Sequence, residues 1–230
     1  MLPPPVIVEH DGFRVVRDDL IPGGTKRRVL TEVFKQKAAA EFVYPSIPDG
    51  YGAIGVALAA KDNGKSARLF YAELPHAQWT DLMKQAEAAG ATMVMVPGTH
   101  DDAIKAAAEY AGKHPTSLLL PLGFAMPEYE QELANIARSL PVTPEQVWVA
   151  SGTGTLTRAF QQAWPDAEHH AVVVKDKGST GNAVRHYLTA EFEQAAVKPP
   201  FPSSDTFDAK VWGFMKREAK PGALFWNVGG

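Results

Sequence analysis

TPEQVWVASGTGTLTRAFQQAW, residues 143–164, carries the pattern that decides the fold. The apolar run at 147–150 has the length and β-branched content of a buried strand, and the small residues 151–155 follow it directly. Apolar positions then recur at helical spacing in Leu156, Ala159 and Phe160. A strand, a glycine-containing turn and a helix make the repeating unit of a parallel α/β sheet, because parallel neighbours need a crossover that a helix supplies. Similar short β-rich runs stand at 13–16, 41–44, 68–72, 92–96, 117–120 and 171–174, each ahead of a stretch with helical apolar spacing. In THDDAIKAAAEYAGKH, residues 99–114, Asp101 and Asp102 favour a helix start, and Ile104, Ala107, Ala108 and Ala111 share one face. The fold class expected is therefore α/β with mainly parallel strands.

Turn-rich segments punctuate this alternation at YPSIPDG (44–50) and LPLGFAMP (120–127). They predict a smaller α/β lobe at 45–124 and a larger lobe built from 1–44 and 125–230, with a cleft between the two. At 230 residues the chain is long enough to bury a sizeable core without cross-links. It contains no Cys, which excludes cysteine nucleophiles, iron–sulfur clusters and thiolate metal sites. The 23 Lys and Arg against 26 Asp and Glu give a formal net charge of −3, so the whole-chain field does not favour nucleic acid, although a local basic patch remains open. The seven His show no HExxH or comparable ligand spacing, and no metal site is expected. The opening MLPPPVIVEH lacks the basic and apolar regions of a secretory signal, and no apolar run is long enough to cross a bilayer. A soluble, cytoplasmic protein without membrane partners is the expectation.

Two loops carry chemistry. In SGTGTLTR, residues 151–158, small residues after a strand let backbone N–H groups converge at a helix N-terminus, where the helix dipole favours a phosphate. Thr153 and Thr155 add hydroxyl donors, and the loop is neither a Walker motif nor GxGxxG. An ordinary tight turn would look the same. In RDDLIPGGTKRRVL, residues 17–30, a Pro-Gly-Gly turn leads into a helix with Lys26 at its start. The positive helix end and the neighbouring Arg27 and Arg28 favour the neutral amine needed to attack an aldehyde, while a solvated basic helix start is the alternative.

A phosphate cradle and an activatable lysine in one two-lobed α/β chain are what pyridoxal 5'-phosphate requires. The sequence resembles the fold-type II pyridoxal-phosphate enzymes, the tryptophan synthase β-like family with its two-lobed, three-layer parallel-sheet fold, here shortened. The branch it is most similar to is that of 1-aminocyclopropane-1-carboxylate deaminase and D-cysteine desulfhydrase. The family's acidic pair, GGNK and basic helix look like Asp18, Asp19, then Gly23, Gly24, Thr25, Lys26, Arg27 and Arg28. The order persists in MVMVPGTHDDAIKAAAEYA, LLLPLGFAMPEYEQELANIA, VWVASGTGTL and ALFWNVGG. The resemblance implies that Lys26 holds the cofactor as an internal aldimine and that Gly152, Thr153, Gly154, Thr155 and Leu156 hold its phosphate. It further implies that Tyr51 faces the ring with a catalytic role, that Asn227 lies near the ring's far edge, and that Ser46, Asp49 and Gly50 bind substrate. The activity implied is cleavage at the α-carbon of a small amino-acid or amine substrate, of lyase, deaminase or decarboxylase type. A homodimer is usual among similar proteins.

Departures from the family pattern open two alternatives. Thr153 stands where a glycine is usual and narrows the cradle, Tyr51 replaces an asparagine, and Phe207 replaces a tyrosine and removes a proton donor. Asp49 would repel a substrate carboxylate unless that group is neutral, absent or about to leave. Resemblance also extends to compact bacteriophage relatives that attach amino acids to thymine in DNA and then trim them. This implies a decarboxylase whose partners are modified DNA bases, for which Arg17, Lys26, Arg27, Arg28 and Arg158 would supply a basic face. The same replacements, with Val228, also suit a cofactor-binding pseudoenzyme or scaffold without turnover.

Overall fold

A computed structural model describes residues 2–188, 195 and 197–229. The chain divides into two compact units, residues 1–24 with 125–230, and residues 25–124.

The unit of residues 25–124 is built on a parallel sheet in the order β5-β4-β3-β6. Its strands are β3 (Glu41–Pro45), β4 (Ser66–Ala72), β5 (Thr92–Val96) and β6 (Ser117–Leu119). Successive side chains leave a strand on opposite faces. Val43 and Phe70 accordingly pack against Ala103 and Ala107 of α4 (His100–Lys113). Phe42 points the other way and stacks on Phe34 of α1 (Gly24–Lys35), with ring centroids 3.4 Å apart. α2 (Tyr51–Asp62) packs on β3 and β4, and α3 (Asp81–Ala88) packs on α2. The acidic start expected for α4 is a reciprocal capping box, in which Thr99 and Asp102 satisfy each other's backbone N–H groups.

The division falls between Gly24 and Thr25 rather than near residue 44, so α1 and β3 belong with 45–124 and not with the other lobe. The reason is pairing: β3 is the inner strand that joins β4 to β6, through Glu41–Ser66 and Glu41–Ser117 registers among others. The turn-rich stretch at 44–50 marks the end of β3 and not of the unit, whereas the one at 120–127, after β6, does contain the unit's end at Phe124.

The other unit carries a sheet in the order β1-β2-β10-β7-β8-β9, parallel apart from the β1–β2 hairpin. Its strands are β1 (Ile7–His10), β2 (Phe13–Arg17), β7 (Gln146–Ser151), β8 (Glu168–Val173), β9 (Val184–Tyr187) and β10 (Leu224–Asn227). On one face Val15, Trp148, Val172 and Phe225 meet Val211, Trp212 and Met215 of α7 (Ala209–Glu218). On the other, Trp226 meets Phe160 of α6 (Thr155–Ala163) at 4.7 Å between rings, and α5 (Pro127–Arg138) packs on α6. Each sheet thus has helices on both faces, which is why its inner strands read as apolar runs. No helix among the described residues is long and apolar enough to cross a membrane.

Candidate functional site

The loop after β7 has the conformation the sequence called for and a support it did not reveal. Gly154 is the N-cap of α6, left-handed at φ 75° and ψ 2°, a region open to glycine at little cost. A Cβ there would stand 2.7 Å from the Ser179 carbonyl carbon and nearer still to its oxygen. The Thr153 hydroxyl does not stand alone in the turn but pairs with that of Thr155 at 2.9 Å. Gly152 gives room to Phe207, whose ring would be 3.3 Å from a Cβ at that position. The first N–H groups of α6 have no acceptor inside the helix, as at any helix start. The buried Ser151 hydroxyl, in the last residue of β7, has no hydrogen-bond partner. A glycine-shaped turn, a helix start and an orphaned buried hydroxyl fit a phosphate group.

Sequence reasoning missed the segment that backs this loop. KDKGSTG, residues 175–181, follows β8 and lies beside the loop because β7 and β8 are parallel neighbours ending together, with Ser151 opposite Val173. The Lys177 N–H donates to the Gly152 carbonyl at 3.1 Å, and a Cβ on Gly178 would crowd the Thr153 carbonyl. Arg158 Nη1 donates to the Thr153 carbonyl at 2.9 Å and to the Ser179 carbonyl at 2.6 Å, while its Nε donates to Glu130 of α5 at 2.9 Å. The available signal was a second polar, glycine-containing run directly after an apolar strand, AVVV at 171–174.

At the end of β10, Asn227 is fully buried and its amide is committed. Its Nδ2 donates to Asp19 at 2.7 Å and to the Pro202 carbonyl at 2.8 Å, and its Oδ1 accepts from Ser203 at 2.7 Å. Only one lone pair of the amide oxygen is left, so Asn227 can meet a ligand only as an acceptor. Asp19 also takes a bidentate pair from Arg17 at 2.8 and 2.7 Å, and so braces the strand end. A Cβ on Gly24, at φ 56°, would lie 3.0 Å from the Val228 carbonyl carbon. The Gly-Gly turn before Lys26 is therefore required by close backbone approach. Gly230 lies outside the described residues.

In the unit of residues 25–124, Lys26 is half-buried in the first turn of α1. A Cβ on Gly55 would be 2.8 Å from the Lys26 Cβ, so the lysine stem is seated on α2, one turn past Tyr51. The structure thus brings Lys26 together with the helix that bears Tyr51. Ser46 is buried just before that helix, and a Cβ on the N-cap Gly50 would be 2.9 Å from its hydroxyl. Tyr71, whose phenol is pushed up by burial, makes a hydrogen bond with Ser46. Tyr44 is also pushed up by burial, to about 12, against the opposing effect of a backbone hydrogen bond from Gly123. Both phenols stay protonated at neutral pH. Asp49 is exposed, unlike Ser46.

The basic face expected of Arg17, Lys26, Arg27, Arg28 and Arg158 is not a free field. Arg17 pairs with Asp19, Arg27 with Asp62 at 2.8 and 2.9 Å, and Arg158 with Glu130, while Arg28 is buried. Among the described residues no group of three or more His, Asp or Glu side chains could hold a metal ion.

Solved structures share this architecture. An ACC deaminase homologue matches with a TM-score of 0.79 at 16% identity, over 94% of this chain and 84% of that one. Diaminopropionate ammonia lyase from Escherichia coli in apo form matches at 0.65 and 15%, over 95% and 77%. O-acetylserine dependent cystathionine β-synthase from Helicobacter pylori matches at 0.66 and 17%, over 98% and 88%. No family model matches the sequence, and no curated protein does. At such identities the likeness establishes the fold: the chain has the α/β, parallel-sheet architecture of the fold-type II pyridoxal-phosphate enzymes.

Proposed function

We propose that the chain is a pyridoxal-phosphate-dependent enzyme acting at the α-carbon of an amino acid or amine, of the lyase or deaminase type. The observation that carries this reading is the 152–156 loop, a phosphate-shaped turn on a fold shared with proteins named as deaminases and ammonia lyases. When bound, the cofactor supplies an aldehyde for an amine and an electron sink for cleavage at the α-carbon.

This chain's own residues have separable tasks. Lys26 Nζ provides the amine, and its stem, seated on Gly55, limits the directions that amine can take. The same nitrogen would also serve as the base that moves the α-proton. Gly152 to Leu156 bind the phosphate through backbone N–H groups and the Thr155 hydroxyl. Tyr51 is the first residue of α2, and its ring would face the cofactor. The first N–H groups of α2, uncovered by the Gly50 N-cap, receive the substrate carboxylate, and Ser46, whose hydroxyl donates to the Ile47 carbonyl at 3.2 Å, holds the turn before them. Asp49, being exposed, need not oppose that contact. Asn227 holds the end of β10 through Asp19 and Ser203. The reading through thymine-linked amino acids has no such support, since the arginines it would use are paired or buried.

The test is titration of the purified protein with pyridoxal phosphate, followed by borohydride reduction and peptide mapping. A visible band that borohydride bleaches, with the label on Lys26, is expected. Label on another lysine overturns the site, and no band overturns the function. A band that no amine or amino acid alters would assign the chain to a cofactor-binding protein without turnover.

A further inference from the structure

The peptide groups of the phosphate loop are held by their carbonyls, and this decides where their N–H groups point. Gly152 O accepts from the Lys177 N–H, and Thr153 O accepts from Arg158 Nη1. Both carbonyls are thereby turned to the 177–179 segment, where a Cβ on Gly178 would lie 3.0 Å from the Thr153 carbonyl carbon and closer to its oxygen. A trans peptide directs its N–H opposite to its C=O, and the chain has no cis peptide bond among the described residues. The N–H groups of Thr153 and Gly154 therefore point away from that segment together. Successive N–H groups so directed, in a turn closed by a left-handed residue, form a concave nest for an anion.

Arg158 ties this arrangement together. Its planar fork joins Glu130 on α5, Thr153 in the loop and Ser179 in the backing segment. Glu130 matches its charge, so what the guanidinium delivers to the loop is direction rather than a free cation. We propose that Arg158 is a positioning residue. By holding the Thr153 and Ser179 carbonyls it presets the backbone donors for a phosphate, and so makes the protein select the phosphorylated aldehyde over pyridoxal. The naming of the ligand rests on the function proposed above; the preset of the donors does not.

The experiment measures binding of pyridoxal phosphate, pyridoxal and inorganic phosphate to the native protein and to Arg158→Met, Arg158→Lys and Gly178→Ala, with far-UV circular dichroism reporting the fold. In Arg158→Met, affinity for both phosphate-bearing probes should fall roughly ten- to hundredfold, the range found when a group that orients a metal ligand is removed. Pyridoxal affinity should not change. Lysine, a point donor without the fork, should restore little of the loss. Gly178→Ala presses on the same carbonyl and should reproduce the selective loss with the arginine intact, so the idea stays testable if Arg158→Met does not fold. Equal losses for pyridoxal and its phosphate would mean a merely structural role and overturn the proposal, as would undiminished phosphate affinity in both variants. If the native protein binds phosphate in an Arg158-dependent way but never captures the aldehyde, the enzymatic reading fails and this one stands. If it binds neither phosphate nor pyridoxal phosphate, both fail.

Discussion

Replacing Gly154 with alanine should damage the protein far more than the loss of one hydrogen would suggest. Alanine in the left-handed region costs about 1–2 kcal/mol from its own backbone sterics. The new methyl would also sit 2.7 Å from the Ser179 carbonyl carbon and 3.0 Å from Arg158 Nη1, so the two cannot keep their 2.6 Å hydrogen bond unmoved. Losing a hydrogen bond to a charged group costs about 1.5–3 kcal/mol. The combined destabilisation is about 2.5–5 kcal/mol, a large part of the roughly 5–15 kcal/mol that holds a typical domain folded. Gly222→Ala is the internal reference. Gly222 has a similar φ of 79° in the same unit, but nothing lies within 4 Å of its added Cβ. It should show the backbone cost alone, about 1–2 kcal/mol. Urea unfolding of both variants, compared through their midpoints at constant slope, separates the clash from the strain. If Gly154→Ala is no less stable than Gly222→Ala, the packing of the 175–181 segment on the phosphate loop has been misread.

Other perturbations test the remaining parts of the molecule. Phe34→Ala removes one ring of the Phe34–Phe42 stack and should cost about 3–5 kcal/mol in urea unfolding, whereas Tyr187→Ala, at an exposed position, should stay within about 0.5 kcal/mol. Asn227→Ala leaves Asp19 and Ser203 short of a partner in a buried place and should cost about 1–3 kcal/mol. Asn227→Asp sets a second carboxylate against Asp19 and should be worse at pH 7 than at pH 4; the reverse order would sink the assignment. His169, His170 and His186 are held below the ordinary histidine value of 6.5, chiefly by burial. For His170 the next influences are Glu168, which raises it, and His186, which lowers it; for His186 they are Glu218, which raises it, and Arg217, which lowers it. Below pH 6.5 the unfolded chain therefore binds protons that the native state refuses, so the stability these groups give is complete above that pH and declines as the pH falls through their native values. Urea midpoints should be lower at pH 5.5 than at pH 8, and an unchanged or higher midpoint would contradict the burial of this cluster.

Most of the strands were legible in the sequence as short apolar runs. Runs such as 41–44 and 147–150 had to be apolar because helices pack on both sides of them. The elements that escaped were those whose existence depends on a partner rather than on their own composition. β9, reading VRHY, is an edge strand with its side chains largely exposed, so no apolar run betrays it. β10, reading LFWN, is short and is made a strand by β2 and β7, which lie far back along the chain. The first division of the chain was displaced for the same reason: the pairing of β3 with β6 joins residues more than seventy positions apart, and no local punctuation records it.

The candidate site shows the same physics at the scale of one loop. The glycines that shape the turn were visible, because a small residue after a buried strand is a local signal. Their meaning was only half visible. Thr153, in a place where glycine would be usual, looks in isolation like an obstruction of the cradle. In the structure its hydroxyl is taken by Thr155, and its carbonyl is held by Arg158 and faces the segment after the neighbouring strand. In a parallel sheet, loops at the carboxyl ends of adjacent strands lie side by side, so the direction of one loop's donors is set by the residues of the next. By itself the 151–156 loop, SGTGTL, is neither a Walker motif nor GxGxxG. Taken with 175–181 and with Arg158, the loop has its Gly152 and Thr153 carbonyls held on one side and the N–H groups of Thr153 and Gly154 turned to the other, which is the property a phosphate needs and the sequence of the loop alone could not contain.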